Sequence, residues 1–393
     1  MSVYGNPVWI PRIAQDPLYL TFSSEGGEFA LGTADSAKHW DGTLEYSTDA
    51  ETWTVWDGTG PLSSSGGLLY LRGSGNTKIT GNNPSTNHRW TIVPDAQNAV
   101  SVTGNIECLL DWETVEAGQH PTMAAGCFGQ MFCGCAWLVS APKLPARTLA
   151  DACYANMFYD CTRLASAPRR LPATTLADFC YDHMFYNCRS LTAAPELPAT
   201  TLAEYCYGDM FYGCRSLTAA PELPATTLAK DCYGGMFGLC TSLVSAPALP
   251  AATLTSGCYT SMFQYCTSLV SLPVLPAVTL PDYCYYHMFN LCSSLKLSRT
   301  PDTVYAYRYR IPAVGSGSVG DDSLTDMFSG TGGTFTGTPA INIPYYTDHE
   351  PVAGAGEKHH VGPTGKSPGP HGEITWAPRG NHVGPTEIGR AHV

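Results

Sequence analysis

A Met-Phe pair recurs through the middle of the chain at an almost constant interval. The interval is 26 residues, with one step of 27, and the pairs begin at Met131, Met157, Met184, Met210, Met236, Met262 and Met288. Two cysteines eight residues apart flank each pair, from Cys127 and Cys135 to Cys284 and Cys292. A fixed period of this length is typical of units that stack on one another to share a core. The seven copies therefore predict a right-handed repeat solenoid.

Each copy is interpreted as a helix, a turn, a short strand and a proline corner. Thr175 and Asp178 have the form of a capping box, which begins a helix. Residues at intervals of four, such as Cys180 and Met184, are then expected on one helical face. The small residues 190–194 favour a short strand, which ends at prolines because proline donates no hydrogen bond to a sheet. We therefore predict an α/β solenoid with a short helix and a short parallel strand in every coil.

The repeated words CYxxMFxxCxSLxxAPxLPATTL resemble the BspA-like leucine-rich repeats of bacterial surface proteins, which are also common in gut-microbe and phage-associated proteins. The resemblance is close from about residue 120 to 298 and extends to a degenerate last copy at Asp326-Met-Phe. It implies a solenoid of the leucine-rich-repeat type that is used for binding or adhesion. It implies no catalytic residues.

The segment before the repeats alternates apolar and polar residues in the manner of strands. Six strand-like stretches occur at 18–22, 43–46, 52–56, 68–72, 88–93 and 99–103. Their number and spacing predict a small β-sandwich separate from the repeats. Residues 106–112 are expected to cap the first coil, because a terminal repeat needs a lid over its apolar end. The N-terminus shows no secretory signal.

After the repeats, the aromatic and basic stretch 305–310 is interpreted as an exposed strand or an insertion in a cap. The alternative is a stacking surface for sugars or an anionic ligand. Glycine, proline and histidine dominate the last segment, which is typical of chains without a core. The predicted parts are a leader (1–16), a β-sandwich-like domain (17–106), the solenoid with its N-terminal cap (107–298), a degenerate C-terminal repeat (299–347) and a disordered or artefactual tail (348–393).

The repeated cysteines favour packing over chemistry. An eight-residue spacing on a helix separates two sulfurs by about 12 Å, which fits neither one zinc ion nor a disulfide. We expect stacked ladders of buried, reduced thiols that behave as small apolar groups. The alternative is a metal or a disulfide at the cap, built from Cys108, Cys127, Cys133 and Cys135.

Charge and motifs exclude several functional classes. The chain has 21 basic and 33 acidic residues, which argues against binding to nucleic acid. No apolar run has the length of about 18 residues that a membrane span requires. No metalloprotease, hydrolase, P-loop or dinucleotide motif is present. We therefore expect no enzymatic activity, no cofactor and no metal.

The candidate binding surface is the strand face, which consists of the outward positions beside Leu191 and its equivalents in each repeat. Most of these positions carry Ser, Thr or Val. An aromatic residue, a basic line and nearby acids stand out: Trp137, Arg163, Arg189, Arg215, Glu196 and Glu222. The alternative is a lattice of Arg and Glu that only keeps the face soluble.

Two functions follow from these observations. The first is a non-enzymatic binding or adhesion protein, extracellular or on a cell surface, that recognises a host or neighbouring-cell protein or glycan through the strand face. The second is a structural spacer or phage tail appendage in a virion, in which the N-terminal β domain recognises the target.

Overall fold

The fold is given by a computed structural model that describes residues 19–81 and 88–353. The predicted leader, residues 1–16, lies outside the described residues, as does the predicted tail from residue 354 onward.

The N-terminal segment forms two sheets from eight strands. The strands are β1 (Leu20–Ser23), β2 (Phe29–Thr33), β3 (Thr43–Ser47), β4 (Thr54–Trp56), β5 (Leu62–Ser63), β6 (Leu68–Ser74), β7 (Trp90–Pro94) and β8 (Val100–Thr103). One sheet has the order β4-β3-β6-β1-β8, and the other has the order β5-β2-β7. Leu20 pairs with Leu71 and Phe22 with Leu69, so alternating apolar residues of β1 and β6 enter the core. The six predicted strands are all found, whereas β2 and β5 were not predicted.

The larger sheet does not stop where the repeats begin. Strand β9 (Leu138–Ser140) belongs to the first repeat and pairs in parallel with β8. The amide of Trp90 also donates to the carbonyl of Met131, at 2.7 Å. The prediction of a separate domain before the repeats was therefore wrong, because main-chain hydrogen bonds and a common apolar core cross the expected boundary.

The predicted cap of the first repeat is a helix, α1 (Cys108–Glu116), with a kink at Asp111. Its buried residues Leu109 and Leu110 pack beside β6. The amide of Asn76, just after β6, donates to the carbonyl of Leu110 at 2.9 Å. The helix thus closes the apolar end of the first repeat together with the larger sheet.

The helix predicted inside each repeat is absent from the described residues, and three tight turns replace it. In the third repeat, Phe179, His183 and Asn187 have left-handed backbones, with φ of 58°, 53° and 60°. Along this segment, one backbone amide donates a hydrogen bond within its own turn and the following amide donates one to the next repeat. For example, Met184 N donates to Tyr181 O, and Phe185 N donates to Met210 O. Linked turns of four residues keep every fourth position on one side, whereas positions four apart on an α-helix drift by about 40°, and over eight residues the apolar pattern fits both.

The predicted strand of each repeat is reduced to single bridges. Ser140 bridges Ser166, and Ser245 bridges Ser271, both in parallel. Their spacing of 26 residues shows that successive repeats stack in register. Between β9 (Leu138–Ser140) and β10 (Thr279–Leu280) the described residues form no full strand, and the bridges there, such as Thr148 to Thr175 and Thr201 to Thr227, are isolated.

Two ladders of aromatic rings run through the stacked repeats. One ladder joins Phe132 to Phe328 with centroids 5.4–5.7 Å apart, and its members are Phe132, Phe158, Phe185, Phe211, Phe237, Phe263, Phe289 and Phe328. The other joins Phe128 to Tyr285 through the tyrosines that follow the first cysteines. Stacked pairs add about 0.5–1.5 kcal/mol each beyond the area they bury. The ladders therefore bind each repeat to the next.

The C-terminal end of the stack carries two small sheets. Their strands are β10 (Thr279–Leu280), β11 (Lys296–Ser298), β12 (Tyr307–Arg310), β13 (Ser318–Val319), β14 (Gly332–Gly333) and β15 (Pro344–Thr347). One sheet pairs β10 with β13, and the other has the order β12-β15-β11-β14. The degenerate repeat is found: Phe289 N donates to Met327 O at 3.0 Å. Tyr309 of β12 packs edge-on against Phe328, so this stretch forms part of the cap. Val352 exchanges hydrogen bonds with Leu272 and Val274, beyond the boundary predicted at 347.

Candidate binding surfaces on the repeats

The strand face brings two of the predicted binding residues together. The guanidinium of Arg163 lies over the ring of Trp137, 5.2 Å from its centroid. The same guanidinium donates to the carbonyl of Gln97 at 3.3 Å. Trp137 is half-buried and Arg163 is exposed, and a cation over an aromatic ring at an exposed site contributes about 0.5–1 kcal/mol. Trp137 and Arg163 therefore form a pre-arranged corner where the first two repeats meet the larger sheet.

Arg189 and Arg215 do not continue the line of Arg163. Each directly follows the second cysteine of its repeat, as Thr162 does, whereas Arg163 stands one position further on. The predicted basic line is thus two adjacent rows. The cause is a difference in local sequence, because the second repeat has Thr162-Arg163 where the next two repeats have Arg-Ser.

The acidic residues of the strand face pair weakly. Glu196 lies 3.7 Å from Arg169 and 3.9 Å from Arg170, and all three side chains are exposed. Exposed pairs of this kind contribute at most about 1 kcal/mol. In the described part of the chain no ion pair joins Arg189, Arg215 or Glu222. The lattice interpretation therefore holds only around Glu196.

A second surface, which we call the turn face, carries the left-handed turns; in repeats two to four it comprises residues 151–160, 178–187 and 204–213. Large apolar side chains occupy left-handed positions along it and remain exposed. Phe179 is 41% exposed, Tyr265 40% and Tyr283 45%. Equivalent positions elsewhere hold glycine, such as Gly257 in place of Phe179. The same position of the repeat therefore accepts glycine, which adopts a left-handed backbone more easily than phenylalanine does.

Aromatic rings stack along the turn face as well as inside the core. Tyr159, Tyr186 and Tyr212 form one stack, with centroid separations of 4.6 and 4.9 Å. Phe179 and Tyr205 form another, at 4.9 Å. The rings are nearly parallel, so neighbouring rings in a stack cover the faces that they turn toward one another.

Carboxylates surround these stacks. The turn face of repeats two to four carries Asp151, Asp160, Asp178, Asp182, Glu204 and Asp209. His183 is its one basic group; Asp182 lies 2.8 Å from its Nδ1 and Asp209 lies 3.7 Å from its Nε2. Burial opposes the charged form, but these two carboxylates raise the pKa of His183. Burial also raises the pKa of Asp209. The surface is acidic and aromatic.

The sequence analysis missed the turn face because bulky residues give no sign of a left-handed backbone. The sequence did contain a signal, because glycine or asparagine recurs at three positions of the repeat that are four residues apart. Examples are Gly126, Gly134, Asn156, Asn187 and Gly213. Glycine and asparagine are the residues that most readily take φ above zero. These recurring residues would have indicated turns in place of a helix.

The cysteines pack as predicted in the core. All sixteen lie within the described residues and are free, and all except the half-buried Cys133 are buried. The second thiol of each repeat from the second to the seventh donates to a phenylalanine carbonyl of the preceding repeat, at 2.9–3.2 Å, as Cys292 does to Phe263. Burial raises the pKa of Cys292 to about 12, so the thiolate is disfavoured.

The alternative cap site is not assembled. Cys108 points to the carbonyl of Leu71, and Cys135 points to that of Trp90. Within the described ranges, no three of Cys108, Cys127, Cys133 and Cys135 bring their sulfurs to within ligand distance of one another.

A cleft of about 310 Å³ lies beside α1, between Glu107 and the turn at residues 146–150. The side chain of Glu107 is 1% exposed, and its Oε2 lies 2.7 Å from His120 Nδ1. Its Oε1 has no hydrogen-bond partner in the part of the chain that the structure describes. Burial raises the pKa of Glu107.

The comparisons with known proteins add one structural similarity. No family model and no curated protein matches this chain. The chain is similar to a leucine-rich repeat protein from Bacteroides ovatus ATCC 8483, with 20% sequence identity and a TM-score of 0.34. The match covers 62% of this chain and 55% of the other, so it spans about half the length of that protein. Over residues 19–81 and 88–353, no helix has the length and apolar character needed to cross a bilayer.

Proposed function

We propose that this repeat protein is a non-enzymatic binding protein that holds a cationic protein partner against the turn face of repeats two to four. The observation that carries the proposal is the placement of exposed Phe179 and half-buried Tyr205 at left-handed positions. A left-handed backbone costs a residue other than glycine about 1–2 kcal/mol. Contact with a partner is a physical reason to keep bulky side chains there, because they contribute little to the core.

Charge and ring geometry favour a cationic protein over a glycan. Sugars stack on open ring faces, whereas the stack covers both faces of Tyr186 and one face each of Tyr159 and Tyr212. Six carboxylates and one histidine make the surface strongly negative. Complementary charge steers association and discriminates between partners. Lysine and arginine side chains of a protein carry the complementary charge, and they do not need open ring faces for binding.

We also propose the finer architecture that the pairing pattern supports. In this proposal the stacked repeats form one solenoid of the leucine-rich-repeat type, and the two N-terminal sheets form a sandwich fused to its first coil. Adhesion at a cell surface, with an extracellular location, is the setting we propose for binding. A spacer or tail appendage of a virion, with recognition by the N-terminal sheets, is the alternative.

A labelled peptide of alternating arginine and glycine tests the proposal by fluorescence anisotropy. Binding should be lost when citrulline replaces arginine and should weaken as salt is raised, because the attraction is electrostatic. The triple change Asp160→Asn, Asp182→Asn and Asp209→Asn should weaken binding by roughly tenfold or more. The matched control removes three exposed carboxylates elsewhere, with Asp95→Asn, Glu113→Gln and Glu116→Gln, and should have little effect.

Two further variants separate the surfaces. Phe179→Ala with Tyr205→Ala should weaken binding, whereas Trp137→Ala with Arg163→Ala should not. Loss of binding only in the second pair would move the site to the strand face and contradict the proposal. If the acidic triple variant and its control lost affinity equally, the binding would depend only on the net charge of the chain, and the proposal would be contradicted.

A further inference from the structure

Three potential metal ligands converge away from the repeats, at one end of the N-terminal sheets. Thr33 of β2 pairs with Trp90 of β7, and this register brings the chain after β2 close to the chain before β7. Asp35 and His39 follow β2, and His88 precedes β7. One ligand atom from each of these three residues lies within 4.8 Å of both others.

The two imidazoles are held face to face. The rings of His39 and His88 stack with centroids 3.8 Å apart and planes at 24°. Nε2 of His39 lies 2.8 Å from Oδ1 of Asp35. Nδ1 of His88 is buried and has no hydrogen-bond partner among residues 19–81 and 88–353. A buried ring nitrogen without a partner has lost its bond to water and gained none in return.

The ligand set matches a particular class of cation. Two imidazole nitrogens and one carboxylate oxygen are typical of zinc and other late first-row divalent ions, whereas calcium and magnesium prefer oxygen ligands alone. Ligand atoms about 2.1 Å from one zinc ion lie no more than about 4.2 Å apart. The lone pair of an imidazole nitrogen lies in the ring plane, so the stacked rings of His39 and His88 must rotate out of their face-to-face arrangement to place all three atoms on one ion.

We propose that Asp35, His39 and His88 bind one zinc ion, with water at the remaining position. The ion ties the turn after β2 to the start of β7 and gives the unpartnered nitrogen of His88 a ligand. Because three protein ligands leave a tetrahedral site open at one corner, the ion remains accessible to a small anion or a side chain of a partner.

Zinc titration of the full chain by calorimetry, followed by cobalt spectroscopy, tests the site. Histidine is a common metal ligand, so the measurement uses a background in which the five histidines after residue 353, His359, His360, His371, His382 and His392, are all changed to Gln. We expect one equivalent of zinc to bind. His39→Ala and His88→Ala should each weaken binding by roughly tenfold or more, and Asp35→Asn should weaken it less. The matched control His287→Ala should leave it unchanged.

Cobalt distinguishes this site from the thiols, which outnumber the histidines. The cobalt form should show ligand-field bands of a four-coordinate ion without a sulfur-to-cobalt charge-transfer band. Circular dichroism of the metal-free variants checks the fold, and His88→Gln replaces His88→Ala if the latter does not fold. Absence of binding, binding that survives both histidine changes, or a sulfur band would each overturn the proposal.

Discussion

The rings of Trp90 and Phe132 meet edge to face, with their centroids 6.1 Å apart and their planes at 87°. Trp90 begins β7, and Phe132 begins the phenylalanine ladder of the repeats. Phe22 of β1 packs on the same phenylalanine at 6.2 Å. At the other end, Tyr309 closes the ladder in the same edge-on manner. The N-terminal sheets therefore serve as the cover over the first repeat.

Removal of this cover is expected to destabilise both parts. Trp90→Ala should lower the free energy of unfolding by about 3–5 kcal/mol, because it leaves a cavity between the sheets and the first repeat. Urea unfolding, followed by both tryptophan fluorescence and far-UV circular dichroism, measures the change. The control Val55→Ala, at a 62% exposed position of β4, should change stability by no more than about 0.5 kcal/mol. A loss in Trp90→Ala as small as that in Val55→Ala would contradict the role of this contact in stabilising the first repeat.

The turns of the repeats give a second prediction. Gly257→Ala should destabilise by about 1–2 kcal/mol, because its φ of 64° is left-handed. The new methyl group would also collide with the carboxylate of Asp231. Tyr265→Asn, at another left-handed position, should leave stability equal or raise it by up to about 1 kcal/mol. Thermal unfolding compares them, and a stable Gly257→Ala protein would favour the helical interpretation.

The period of the repeat was predictable from the sequence, but its local conformation was not. Met-Phe spacing, the inward leucines and the degenerate copy at Met327 all follow from which residues are apolar. The choice between a helix and linked turns depends on a drift of about 40° for every four residues. Cys180, Met184 and Cys188 satisfy both interpretations over so short a stretch. Main-chain bonds between repeats decide the matter, and no single repeat encodes them.

Thiol reactivity gives a third prediction. One cysteine, the half-buried Cys133, should react with an aromatic disulfide reagent in the native protein, and the other fifteen should react only after unfolding. Burial raises the pKa of thiols such as Cys188 and Cys214 and keeps the nucleophilic thiolate scarce. Cys133→Ser should abolish the early reaction. Several fast thiols, or fewer than sixteen in denaturant without reductant, would contradict the buried ladders.

The stability of the protein should depend on pH through the protonation of Glu107. Burial raises its folded pKa above the ordinary value of 4.5, so the folded protein favours the protonated acid. The stability that it contributes is complete below about pH 4.5 and is lost as pH rises through the raised folded pKa. Glu107→Gln should therefore gain stability over the wild type across that interval, as measured by urea unfolding at several pH values. The control Glu113→Gln, at an exposed position, should show no such trend. If the free energy of unfolding of Glu107→Gln relative to the wild type fell as pH rises, this interpretation would be contradicted.

The candidate site was predictable only in part. Trp137 and Arg163 were expected together on the strand face, and the structure places them in contact. Arg189 and Arg215 lie in an adjacent row, because they directly follow the second cysteine of their repeats whereas Arg163 stands one position further on. The turn face could not be inferred, because the exposure of Phe179 depends on a left-handed backbone that phenylalanine rarely adopts. The sequence of one repeat does not specify that conformation.

The location of a bound cationic peptide tests the central claim most directly. An arginine–glycine peptide that carries a benzophenone is irradiated with the unmodified full chain, and the attachment sites are mapped by mass spectrometry after digestion. We predict attachment within residues 151–160, 178–187 and 204–213, suppressed by excess unlabelled peptide and by the acidic triple variant. Attachment that concentrates on the strand face around Trp137 and Arg163, or on the N-terminal sheets, would contradict the account.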